Sequence, residues 1–198
     1  MRNNESQKKN PIRIGIFVDY WNFINDMREL DEHFRADWHR LRDIVAAVAC
    51  GKIGGTCFDA ALGCFASFKP WIPEQCWLMD WAKRENEHPG GIRILLRKWH
   101  CEDQKERYVD VDLAVAMTNM AADRIYDAAV LISKDRDLEL AVRAVRNRGI
   151  EVIHGRVGDG GFRLSRNCSG QIDVGQLREL FEERRGRGSG MAMTGVPV

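Results

Sequence analysis

The sequence predicts an α/β protein with a central parallel sheet in the strand order 3-2-1-4-5 and helices on both faces. Two observations lead there. Short apolar runs alternate with helical patterns from residue 12 to residue 154, as parallel strands joined by crossover helices require. The runs themselves, IRIGIFV at 12–18 and DAAVLIS at 127–133, have the continuous apolar character of buried strands.

Element by element, Ile12–Val18 reads as the first strand, with Asp19 following it. Asp37–Cys50 reads as a helix capped by Asp37, with Leu41, Ile44, Val45 and Val48 at helical spacing. Ala60–Phe68 is the second strand. Pro73 opens the helix PEQCWLMDWAKRE, which Pro89-Gly90-Gly91 terminates. Ile92–Trp99 alternates apolar and basic residues, as a half-exposed third strand does. Val109–Ala122 is a helix, Asp127–Ser133 the fourth strand, Leu138–Arg148 a helix stopped by Gly149, and Ile150–His154 the fifth strand. Residues 155–171 are Gly-rich and give no assignment, and Gln176–Arg185 reads as a closing helix. The length of 198 residues suits one domain. It is expected to occupy residues 11–185, between a flexible N-terminus (1–10) and a disordered Gly-rich tail (186–198).

Composition narrows the function. The net charge of +1 supplies no global field for nucleic acid, so any such binding needs a local patch. Six cysteines include no C-x-x-C pair and no zinc-ligand spacing. There is no signal-peptide pattern at the N-terminus and no bilayer-length apolar run, so a cytoplasmic protein with no membrane association is expected. The glycines at 158–161 lack the spacing of a P-loop or a dinucleotide fingerprint.

The carboxylates carry the chemistry. Asp19 follows the first strand, Asp135 and Asp137 follow the fourth, and Asp110 and Asp112 open the helix between the third and fourth. Ligands of open α/β sheets sit beyond the carboxyl ends of the strands where the strand order switches, which is where strands one and four would meet. Crowded carboxylates repel unless a cation neutralises them, and hard oxygen donors suit Mg²⁺ or Mn²⁺. Each aspartate also has a plainer use as a helix cap or as a charge favoured at a helix N-terminus. Residues alone leave the two readings evenly matched.

Three segments resemble the NYN-domain family, the LabA-like branch of the PIN-like nuclease superfamily: IFVDYWNF (16–23), KERYVDVDLAVAM (105–117) and DAAVLISKDRDLELAVRAVRNRGIEV (127–152). FRLSRNCSGQIDVGQL is similar to the family's closing segment, so the likeness runs over roughly residues 12–181. The resemblance implies a PIN-like three-layer fold and metal-dependent cleavage of RNA, with single-stranded RNA as substrate. It implies Asp19, Asp110 and Asp135 as catalytic metal ligands, and Asp137 as a ligand or supporting acid. Asn22, Ser133, Lys134 and Arg136 become substrate-positioning groups. This chain departs from the family at Ala116, where many relatives have an acid. Asp112, one helical turn earlier, is the residue that could compensate as a metal ligand. The departure keeps a second reading open: a weak or inactive PIN-like module that binds RNA or a protein.

Other residues have two readings each. Trp21 either stacks on a base or covers the edge of the core. Trp77 and Trp81 share a helical face, which reads as a packing stripe or the seat of a homodimer. Trp71 and Trp99 read as core or interface. Arg93, Arg97, Lys98, Lys105 and Arg107 would make a basic rim, and Arg184, Arg185 and Arg187 an RNA-touching arm or a solvated end.

Overall fold

A computed structural model describes residues 11–99 and 108–183. The first strand, β1 (Pro11–Asp19), lies between β2 (Thr56–Phe68) and β4 (Ala128–Ile132), parallel to both. Beyond β2 lies β3 (Ile92–Lys98), and beyond β4 come β5 (Glu151–Arg156) and β6 (Gly170–Asp173), all parallel. The order β3-β2-β1-β4-β5-β6 is the expected one with a sixth strand added at the edge.

Alternation along the central strands divides the core in two. Ile14, Ile16 and Val18 of β1, with Ala128, Val130 and Ile132 of β4, pack under α1 (Tyr20–Leu30), α2 (Trp38–Lys52) and α3 (Trp77–Glu87). Phe17, Ala129 and Leu131 face the other way, under α4 (Val109–Ala122) and α5 (Glu139–Arg146). With both faces covered, the central strands need apolar residues at every position, which is why their sequences read as continuous runs. Asp19 shares parity with Phe17, so it emerges on the α4 face.

The chain differs from expectation in four places. Helix α1 was not expected. Its apolar positions Tyr20, Phe23, Ile24 and Met27 are buried at helical spacing, but Tyr20, Phe23 and Ile24 are middling helix formers, and tertiary packing decides the helix. Strand β2 begins at Thr56 rather than Ala60; its first residues include exposed Phe58 and Asp59, and Phe58 is left unpaired by a register shift against Ile12/Arg13. The unassigned Gly-rich stretch holds the short helix α6 (Phe162–Ser165) and β6. The closing helix is shorter than Gln176–Arg185. A 3-10 turn at Gly175–Leu177 leads into α7 (Arg178–Phe181), and Glu182 turns extended because it bridges Ala36. The two terminal segments, 1–10 and 186–198, lie outside the described residues, as do Lys105, Arg107, Arg184, Arg185 and Arg187.

Candidate active site

The β1–β4 register ends with Val18 opposite Ile132, so the next residues, Asp19 and Ser133, leave the sheet side by side. Asp19 is 4% exposed. Its Oδ1 accepts from the backbone N–H of Asn22 at 3.3 Å, capping α1. Its Oδ2 accepts from the Asn22 side-chain amide and from the Ser133 hydroxyl, the latter at 3.1 Å. Asp19 is therefore a helix cap, yet a carboxylate has about four lone-pair sites, so capping leaves it able to bind a cation as well.

Ser133 ties the site together. Its Oγ also accepts from Asp135 N at 3.0 Å, fixing the turn after β4. Asp135 in turn caps a short 3-10 turn, accepting from Asp137 N at 2.8 Å. Asp110, in the first turn of α4, reaches the same region. Its carboxyl is pushed up to about 6, first by burial and then by the negative charges of Asp19, Asp135 and Asp137. The structure thus brings Asp19, Asp135 and Asp137 within electrostatic reach of Asp110. Among the described residues, no three His, Cys, Asp or Glu side chains stand close enough to grip one ion as they are.

Asp112 goes elsewhere. It forms a two-bonded ion pair with Arg97 of β3, through Arg97 Nε and, at 2.6 Å, Nη2. Ala116, at the position where many relatives carry an acid, packs half-buried against the α4-side core. Of the two basic residues flanking Asp135, Lys134 pairs with Asp26 and Arg136 is exposed. The basic rim is reduced accordingly: Arg97 is neutralised by Asp112, Arg93 contacts the backbone carbonyls of Asn86 and His88, and Lys98 is exposed.

Sequence reasoning overlooked His154. It is fully buried on β5, with Nε2 2.8 Å from the Ser133 carbonyl and Nδ1 2.6 Å from Ser165 Oγ. A carbonyl can only accept, so Nε2 carries the proton and, in the neutral ring, Nδ1 accepts from the Ser165 hydroxyl. Burial, helped by the charge of Arg156, lowers its pKa against the raising effect of the Ser133 bond. The signal was a lone histidine in an otherwise apolar strand, which has no periodicity to distinguish it.

Set beside known proteins, the chain matches the model of the NYN domain over residues 13–172. The chain belongs to the NYN domain family. Its architecture is accordingly that of the PIN-like nuclease superfamily, and the three resembling segments fall within the matched region. No curated protein matches the chain. Among solved structures, a protein of unknown function from Vibrio parahaemolyticus RIMD 2210633 is similar, with a TM-score of 0.61 and 18% identity. That likeness covers 90% of this chain and 99% of the other, and it concerns the fold. Among the described residues of this NYN domain, no helix is long and apolar enough to cross a membrane.

Proposed function

We propose that this NYN domain is a metal-dependent endoribonuclease that hydrolyses RNA phosphodiester bonds at Asp19, Asp110 and Asp135. The observation that supports it most is the elevation of Asp110 to about 6 by burial and by three neighbouring carboxylates. Acids from β1 and from the turn after β4 add their negative charge to the burial of Asp110 on α4, and a divalent cation would relieve that repulsion.

The donor set is all hard oxygen, which fits Mg²⁺ or Mn²⁺. Asp19, Asp110 and Asp135 would hold it, with Asp137 as a further acid at the exposed side. When bound, such an ion supplies polarisation of the phosphodiester and a lowered pKa for water. Asn22 and Ser133 orient the Asp19 carboxylate by donating to Oδ2. Arg136, exposed beside Asp135, would meet a phosphate from solvent, and Lys134 would do so only by giving up its pairing with Asp26. Water is the nucleophile and the P–O3′ bond breaks, so the 3′ oxygen leaves as a hydroxyl and the phosphate stays on the 5′ side.

A second reading, a module that binds RNA or a protein without turnover, is favoured by Ala116 and by the commitment of Asp112 to Arg97. One experiment separates them: cleavage of a labelled single-stranded RNA with Mn²⁺, with EDTA, and by Asp135→Asn. The nuclease reading expects Mn²⁺-dependent cutting that EDTA abolishes. Cutting that survives EDTA, products ending in 2′,3′-cyclic phosphate, or no cutting at all would reject it.

A further inference from the structure

Strands β2 and β3 outrun the acidic site. Asp19, the last residue of β1, lies opposite Phe65, and β2 continues for Ala66, Ser67 and Phe68, about 10 Å further at the usual strand rise. The pairing of Phe68 with Lys98 carries β3 to the same height. The two strands form a wall beside the carboxylates. Trp21 fastens α1 to it, donating from its indole N–H to the Ser67 carbonyl at 2.8 Å.

Aromatic and cationic residues end β3, follow β2 and open α3. Lys69 follows β2 and holds its ammonium 4.3 Å from the centre of the Trp99 ring, which follows β3. Trp71 sits in the turn closed by the Ile72 N–H to Lys69 carbonyl bond and is 44% exposed. Trp77, the first residue of α3, is 41% exposed. It lies 6.4 Å, ring centre to ring centre, from Tyr20, the residue directly after Asp19. Lys98 is exposed beside them.

Packing uses only part of these rings. Trp81 takes the packing role on α3, buried at 5.7 Å from Tyr20 and 5.2 Å from Trp38. Trp77 lies at the edge of the same aromatic cluster, 6.1 Å from Trp81, and keeps much of its indole in solvent. A self-association surface would favour apolar residues at its centre and exclude lysine. The exposed indoles of Trp71 and Trp77, with the lysines and the partly exposed Trp99, instead match the demand of a single strand, whose bases stack on rings and whose phosphates seek cations.

We propose that Trp71, Trp77 and Trp99, with Lys69 and Lys98, form a stacking platform for single-stranded RNA leading to the acidic site. This rests on the nuclease reading for the choice of RNA, and it goes beyond it by assigning the strand's path. Unstacked bases are required, so duplex RNA is a poor ligand of the platform.

The test is fluorescence anisotropy with a fluorescein-labelled 12-nucleotide oligouridylate, in EDTA so that nothing is cut, using the full chain. Trp71→Ala and Trp77→Ala should each weaken binding by about 10-fold. Trp77→Phe should recover most of the loss, and intrinsic tryptophan emission should be quenched at saturation. The Asp135→Asn protein should bind at least as tightly as the parent. Wild-type affinity in both alanine variants, equal binding of a duplex of the same length, or no binding of the oligonucleotide by the parent overturns the platform. A dimer in light scattering that Trp77→Ala splits, with RNA affinity unchanged, assigns the rings to self-association and also overturns it. If the alanine variants bind weakly while the parent cuts no RNA with Mn²⁺, the platform stands and the nuclease reading falls.

Discussion

His154 and Ser133 are joined by a hydrogen bond from the imidazole Nε2 to the backbone carbonyl at 2.8 Å, and the same serine's hydroxyl reaches Asp19. A buried histidine on the third strand from β2 therefore holds the residue that holds the acid. Replacing His154 with Ala removes the Nε2 donor to the Ser133 carbonyl in a closed site and opens a cavity, while the Ser165 hydroxyl keeps the Gly161 carbonyl as an acceptor. Chemical denaturation should show a loss of about 2–4 kcal/mol. Wild-type stability of the variant would show that the bond contributes nothing.

The same residue sets an acid limit. Its pKa is depressed in the folded state, so below about 6.5, the ordinary histidine value, the unfolded chain takes up a proton that the native ring resists. His154 thus contributes stability above that pH and loses it as pH falls through the depressed value. Thermal melts of the parent and His154→Gln between pH 7.5 and 4.5 should converge toward the acid end. Parallel curves would contradict the assignment of a neutral ring.

Asp110 behaves with the opposite sign. Its folded value of about 6 exceeds its ordinary 3.8, so its favourable contribution is complete below 3.8 and disappears as pH rises through about 6. At neutral pH it is a cost. Asp110→Asn should stabilise the metal-free protein at pH 7.5 by about 1 kcal/mol, allowing for solvent screening of a partly exposed group, and the gain should fade by pH 4. A destabilised Asn variant at pH 7.5 would mean that the carboxylates do not repel as described.

Activity should discriminate among the acids. Asp135→Asn removes a charge from the cluster while keeping the side-chain shape, and should reduce turnover by at least ~100-fold. Asp112→Asn should change it by no more than about 5-fold, because that carboxylate is committed to Arg97. Equal losses in the two variants would place Asp112 in the site.

Gly161 is the constraint beside His154. It adopts φ +81°, and a Cβ there would stand 2.6 Å from His154 Cε1. Gly161→Ala should destabilise by about 1–3 kcal/mol, from the left-handed backbone and the displaced ring together. A circular-dichroism melt unchanged from the parent would refute this.

Much of this was legible in the sequence because it is written locally. Strand order followed from alternation, and α4 was readable to its last residue because its boundaries are marked by composition. Asp19 and Asp135 were visible because they follow strands at the same edge of the sheet, and Asp110 because it opens α4. What was hidden depends on partners distant in the chain. The Lys134–Asp26 pair spans 108 residues, and the His154–Ser133 bond spans 21 with no motif to announce it. Asp112 looked like a replacement for the acid missing at Ala116. Only the position of Arg97 on the neighbouring strand shows where its charge is spent. The edge strand β6 was invisible because four residues in a Gly-rich stretch carry no period.

The pairing of β1 with β4 has a consequence for how the chain is born. Asp19 and Ser133, which meet through one hydrogen bond, are separated by 114 residues. At a synthesis rate of about 5–20 residues per second, roughly 6–23 s pass between the making of the first and the second. Throughout that interval the emerging polypeptide carries Asp19 without the strand that completes its surroundings. The β1–β4 topology therefore keeps the surroundings of Asp19 incomplete until Ser133 has been added.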